Sequence, residues 1–96
     1  MHLSVTFSGG SEVIFGDKRH HEIDVADELD VGELIDWIST ELVVDKSKTG
    51  LLFLDGDVRP GILVLVNDID WEITGGLRTK LTNKDNVTFI STLHGG

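Results

Sequence analysis

Leu29-Asp30-Val31-Gly32-Glu33-Leu34-Ile35-Asp36-Trp37-Ile38-Ser39-Thr40-Glu41-Leu42 is the stretch on which the fold turns. Asp30 stands where an N-cap carboxylate accepts a backbone N–H, and Glu33 three residues on gives an Asp variant of the capping box. Leu29 before the cap and Leu34 at the fourth helical position match the hydrophobic staple. Val31, Leu34, Ile35, Ile38 and Leu42 then form one apolar stripe at helical spacing. The acids crowding the first turn are each favoured there by about 0.3–1 kcal/mol, because the helix dipole is positive at that end. Trp37 falls beside the stripe and reads as a flanking core residue. One main helix is predicted.

Working outward, Leu3, Val5 and Phe7 alternate with Ser4, Thr6 and Ser8, the period-two pattern of a half-buried strand. Ser8-Gly9-Gly10-Ser11 supplies residues that tolerate positive φ and predicts a tight turn. A second strand lies between Glu12 and Val25, with Val13/Phe15 and Ile23/Val25 both alternating. Beyond the helix, Lys46 to Gly61 reads as a connecting stretch holding a short buried piece, Leu51 to Leu54. Asp55-Gly56-Asp57 and Pro60-Gly61 mark turns around it. Ile62-Leu63-Val64-Leu65-Val66 is a strand apolar on both sides. Asn67-Asp68 offers a turn, Asp70-Trp71-Glu72-Ile73 a short fourth strand, and Val87, Phe89 and Ile90 a last one. One helix across a mixed sheet of four to five strands accounts for this order, an α+β two-layer domain. It is the pattern of the β-grasp, or ubiquitin-like, fold.

At 96 residues the chain allows one domain and has little spare length for a lid over a deep cleft, which disfavours catalysis within it. The 17 acids outnumber the 8 Lys and Arg, for a net charge of −9. From His20 to Asp45 there are 9 of those 17 acids and no Lys or Arg, so the remainder is neutral. Such a surface repels phosphate backbones, so no direct nucleic-acid binding is expected, and a protein partner with a basic surface is the better fit. There are no cysteines, which removes disulfides, thiolate metal sites and any thiol nucleophile. Met1 to Ser8 lacks the basic start and apolar run of a signal peptide. The longest apolar run, Ile62 to Val66, is far short of the roughly 20 residues that span a bilayer. A cytoplasmic protein with no membrane association is expected.

Most motifs fail on their grammar. Gly9-Gly10 and Gly75-Gly76 lack dinucleotide-binding spacing, and Gly56 with Gly61 is followed by Ile62-Leu63 where a phosphate loop needs Lys-Ser/Thr. Asp55, Asp57, Asp68 and Asp70 do not fit a calcium loop, since Arg59 falls on a ligand position, and turn roles suit them better. His20, Glu22 and Asp24 would share one face of a strand, but a solvated one, so no metal site is expected. No Ser has a local His/Asp relay.

Gly95-Gly96 survives. The last strand ends about four residues before Gly96, so Leu93 to Gly96 would reach about 13 Å beyond the domain. The expected organisation is a ubiquitin-like domain over residues 1–92 and a flexible Gly-Gly tail over 93–96. A slender tail can be threaded into another enzyme's crevice. Its α-carboxyl, with a pKa of about 3.3–3.7, is a carboxylate at neutral pH and a poor electrophile. ATP would convert it to a mixed acyl-phosphate open to sulfur or amine nucleophiles. A side chain on the last residue would crowd that attack. With no cysteine, the chain can hold sulfur only at that acyl group.

Val58-Arg59-Pro60-Gly61-Ile62-Leu63-Val64-Leu65-Val66-Asn67-Asp68, then Asp70-Trp71-Glu72, Gly75, Leu77, Leu81, Asp85, Val87 and Phe89 to Gly96 resemble the ubiquitin-related modifier family, eukaryotic ubiquitin-like sulfur carriers. Phe7, Gly9-Gly10, Glu12 and Phe15 extend a looser match to the N-terminus. Arg78 and Lys80, where relatives tend to be acidic or neutral, and the acid-rich approach to the helix are departures that bear on partner surfaces. The resemblance implies a non-enzymatic carrier with no bound cofactor, adenylated at Gly96 by an ATP-using activating enzyme of the adenylating/rhodanese type. A persulfide would turn that terminus into a thiocarboxylate, whose sulfur a separate tRNA thiolase passes to wobble uridine. The same terminus can join lysines of target proteins by an isopeptide bond. Leu93, His94 and Gly95 would be the tail recognised by the activating enzyme. A docking patch is expected on the oily strand, at Ile62, Val64 and Val66. The protein is expected to act as a monomer. A primary role as protein modifier and a plain ubiquitin-fold interaction domain are the alternatives.

Overall fold

The computed structural model describes residues 1–92. Its strands and helices are β1 (His2–Ser8), β2 (His20–Asp24), β3 (Leu29–Asp30), α1 (Val31–Trp37), β4 (Phe53–Leu54), β5 (Asp57–Val58), β6 (Ile62–Val66), β7 (Ile69–Asp70), α2 (Trp71–Thr74), β8 (Lys80–Leu81) and β9 (Asn86–Ser91). Five strands make one mixed sheet in the order β2-β1-β9-β6-β7. β9 lies parallel to β1, with Phe7 opposite Phe89, and antiparallel to β6, with Val64 opposite Phe89. This is the four- to five-stranded sheet on one main helix that the sequence predicts.

The helix forms for the reasons its sequence carries. Asp30 Oδ1 accepts from the Glu33 N–H at 2.7 Å, and the Asp30 N–H donates to Glu33 Oε1 at 3.1 Å, a complete capping box. Removing such a cap costs about 1 kcal/mol. Val31, Leu34, Ile35 and Ile38 are fully buried, and Leu29 and Leu34 both join the core as the staple requires. At Ile38 the helix widens into a π-turn, Ile38–Leu42, closed by the Val43 N–H on the Ile38 carbonyl at 3.2 Å. The widening leaves Leu42 at the margin of the core, with Trp37 packed beside it as expected. On the sheet, Leu3, Val5, Phe7, Val64, Val87 and Phe89 face α1 with no exposed area. Phe7 stacks on Phe15 and Phe89, at ring-centroid distances of 3.7 and 5.4 Å.

Several segments differ from the sequence reading. Ser11–Phe15 is a 3₁₀ turn bracketed by left-handed Gly10 and Gly16, so the second strand is only His20–Asp24. A three-residue turn places Ile14 and Phe15 inside and leaves Val13 51% exposed, which alternation over Val13/Phe15 cannot describe. Of Leu51 to Leu54, only Leu52 and Phe53 are buried, because the end of a 3₁₀ turn and the start of β4 point the outer two leucines to solvent. The expected strand over 70–73 is cut short. Asp70 accepts from the Glu72 N–H at 3.0 Å and starts α2, which turns Trp71 into the core. Asn67 and Asp68, both at positive φ, make the tight β6–β7 turn as predicted.

Candidate functional site

The central strand β9 leads toward the residues that carry the expected chemistry. Ser91 pairs with Ile62, and one residue on, Thr92 is fastened to Gly61: its N–H donates to the Gly61 carbonyl at 2.9 Å and its hydroxyl to the same oxygen at 2.5 Å. Gly9 closes over this end. An added Cβ there would sit under 3.0 Å from the Ser91 carbonyl oxygen, so the loop after β1 packs on the last turn of β9 backbone to backbone. The C-terminal end of β9 is thus held by β1, β6 and their loops. Leu93, His94, Gly95 and Gly96 lie outside the described residues.

The docking patch expected at Ile62, Val64 and Val66 needs correction. Val64 and Val66 are 0% and 7% exposed beneath α1, and Ile62 packs against the same core. Strand parity sends the other two side chains outward, so Leu63 and Leu65 are the half-exposed pair on the open face. Leu63 lies opposite the half-exposed Ile90 and Leu65 opposite Thr88. The strand does leave apolar surface uncovered, on the other side from the one anticipated. A run apolar at every position carries no parity signal of its own. The neighbouring alternation of β9, with Val87 and Phe89 inward, is the signal that could have fixed it.

Farther along the same open face, His2, Ser4, His20, Glu22 and Asp24 form a polar cluster. His2 Nε2 meets Glu22 Oε1 at 2.6 Å and His2 Nδ1 meets Asp24 Oδ1 at 3.0 Å. The Ser4 hydroxyl donates to Glu22 Oε2 at 2.8 Å, and His20 Nε2 also contacts that carboxylate. Among the described residues no group of three or more His, Asp or Glu side chains is arranged to hold a metal ion. Hydrogen bonding to Asp24 and Glu22 raises the His2 pKa above 6.5, and donation from His2 and Ser4 lowers Glu22 to about 2. On the other face His21 is buried edge-on to Phe7 and Phe15, with Nε2 2.9 Å from the Lys18 carbonyl, and burial lowers its pKa.

These shifts have opposite signs in stability. The His2 contribution is full below its unfolded pKa near 6.5 and is lost as pH rises through the raised folded value. The His21 contribution is present above 6.5 and fades as pH falls below it. Urea midpoints of wild type and His2→Ala are therefore expected to differ most below about pH 6.5 and to converge as pH rises through the raised folded value. A gap that stays constant with pH would contradict the ion-pair assignment.

Among the described residues no helix is long and apolar enough to cross a membrane. A family model described as Urm1 (Ubiquitin related modifier) matches residues 2–96. The ubiquitin-related modifier 1 homolog of Dictyostelium discoideum is 44% identical over 98 residues, covering 100% of both chains. Ubiquitin-related modifier 1 of Gallus gallus is 45% identical, over 98% of this chain and 94% of its own. The solution structure of Urm1 from Trypanosoma brucei superposes with a TM-score of 0.80 at 38% identity, over 99% of this chain and 95% of that one.

Proposed function

The chain belongs to the ubiquitin-related modifier family, and on that premise we propose that it is a sulfur carrier whose reactive group is the carboxylate of Gly96. Full-length similarity to family members, reaching through the Gly-Gly end, is the observation that carries this reading. The β-grasp domain with a firmly anchored tail root supports it, because a carrier needs a rigid body for recognition and a reach for chemistry.

The Gly96 carboxylate attacks the α-phosphate of ATP on an activating enzyme, forming an acyl-adenylate and releasing pyrophosphate. The terminal sulfur of an enzyme persulfide attacks the acyl carbon and AMP leaves. Atom and electron balance then requires a thiol to reduce the resulting acyl disulfide, which frees the thiocarboxylate. A tRNA thiolase takes that sulfur to wobble uridine. The acidic carrier, at net −9, leaves the tRNA contact to that enzyme. Gly95 keeps the path narrow, Leu93 and His94 are read by the activating enzyme, and Leu63, Leu65 and Ile90 form its docking patch on the open face. Attack on the adenylate by a lysine amine gives an isopeptide bond, so the modifier role uses the same terminus. Both roles are placed in the cytoplasm, with the carrier a monomer.

The test is carrier-dependent ATP–pyrophosphate exchange with the purified activating enzyme of the source organism. Exchange that appears with the full chain and vanishes on deleting Gly96 is expected. Exchange that persists without Gly96, or is absent with an enzyme proven active on another carrier, contradicts the reading.

A further inference from the structure

A half-open hollow of about 460 Å³ lies beside the tail root, walled by Gly9 and Ser91. That size falls within the roughly 300–1,000 Å³ of pockets that hold ligands. The apolar part of its lining is Val13 and Ile14 from the first 3₁₀ turn with Leu51 and Leu52 at the end of the second. Val13 is 51% and Leu51 65% exposed, while Val44, whose N–H donates to the Ile14 carbonyl, is 72% exposed. Three of the six exposed large hydrophobic residues among those described therefore gather at this one end. Scattered exposed aliphatics are ordinary, whereas a cluster around a concavity marks a binding surface.

The charge of the hollow separates it from the rest of the chain. Arg59 is the one charged side chain among its described lining residues, in a protein of net charge −9. Its guanidinium donates to the Gly50 carbonyl at 3.3 Å and makes no ion pair among the described residues. A planar fork with free donors is suited to a carboxylate. Gly50 also lines the hollow, and nothing lies within 4 Å of where its Cβ would be.

We propose that this hollow is a docking socket for a segment of the activating enzyme in which an aliphatic side chain stands next to a carboxylate. The inference rests on the carrier reading given above. Position supplies the link: Gly96 is five residues past Ser91, at most about 18 Å of extended chain. An enzyme that holds the Gly96 carboxylate at its ATP therefore has its body against this end of the carrier. The aliphatic side chain fills the space between Val13 and Leu51, and the carboxylate meets Arg59. Elsewhere an acidic segment meets a surface on which acids outnumber bases.

The experiment measures pyrophosphate exchange against carrier concentration, with the purified activating enzyme and ATP. Leu51→Asp and Arg59→Glu are expected to raise the half-saturating carrier concentration at least tenfold with the maximal rate within twofold of wild type. Gly50→Leu, which adds bulk at a lining position where a Cβ meets no heavy atom within 4 Å, is expected to do the same. Ile73→Asp, 79% exposed on α2, is the control and is expected to match wild type. Circular dichroism confirms that each variant folds. Wild-type kinetics for all three socket variants would overturn the docking proposal and leave the carrier reading intact. Absence of exchange with wild type would instead remove the reading on which it rests. Self-association of the wild type, abolished by Leu51→Asp, would assign the socket to a second copy and overturn the proposal as well.

Discussion

Gly9→Ala is expected to lower the melting temperature by about 15 °C. Gly9 sits at φ +70°, a left-handed conformation that costs a residue with a Cβ about 1–2 kcal/mol. The added Cβ would also fall under 3.0 Å from the Ser91 carbonyl oxygen and 3.1 Å from the Ser91 nitrogen. Both neighbours are backbone of β9, which is bonded to β1 on one side and β6 on the other. No side chain can turn aside to make room, so the β1–β9 pairing itself must shift. Together the two effects cost about 3 kcal/mol, and a domain of this size loses about 4–8 °C per kcal/mol. Gly50→Ala is the matched control, with no heavy atom within 4 Å of the new methyl, and is expected to change stability by no more than about 0.5 kcal/mol. Thermal unfolding followed by circular dichroism checks both. Equal midpoints for the two variants would contradict the backbone contact between Gly9 and Ser91.

Appending one alanine after Gly96 is expected to abolish thiocarboxylate formation and leave the melting temperature unchanged. The addition turns the Gly96 carboxyl into an amide carbonyl, which has no acid oxygen to attack ATP. The new carboxyl is displaced by up to about 3.6 Å and carries a methyl beside the atom to be attacked. Among the described residues the buried core runs from Leu3 to Phe89, so no loss of stability is expected from the addition. The readout is tRNA 2-thiouridine in cells whose only carrier is the extended chain, with intact mass confirming that the alanine is retained. Full thiolation by the extended chain would contradict the carrier reading. Loss of thiolation together with a lowered melting point would show that folding was disturbed.

The elements that were legible in the sequence are those whose signals are local. The Asp30–Glu33 capping box, the α1 stripe, the alternation of β1 and the Asn67-Asp68 turn each depend on residues within one or two turns of one another. Where the outcome depends on a distant partner, the pattern misleads. Trp71 reads as a strand residue until the Asp70 cap and the core that receives its ring are seen. Val64 reads as surface or core with equal ease until pairing with Phe89 sets its face. The same limit applies to the site. Gly95-Gly96 is visible as a motif, whereas the open-face trio of Leu63, Leu65 and Ile90 exists only once β6 lies against β9. The socket likewise joins Val13 to Arg59, residues too far apart in the chain for any local pattern to connect them.

The carrier account is tested most directly by the intact mass of the protein after incubation with ATP, a sulfur donor and the source organism's activating enzyme. The account predicts replacement of one terminal oxygen by sulfur, in the full chain and not in a chain lacking Gly96. An unchanged mass, with the enzyme shown active on another carrier, would contradict it.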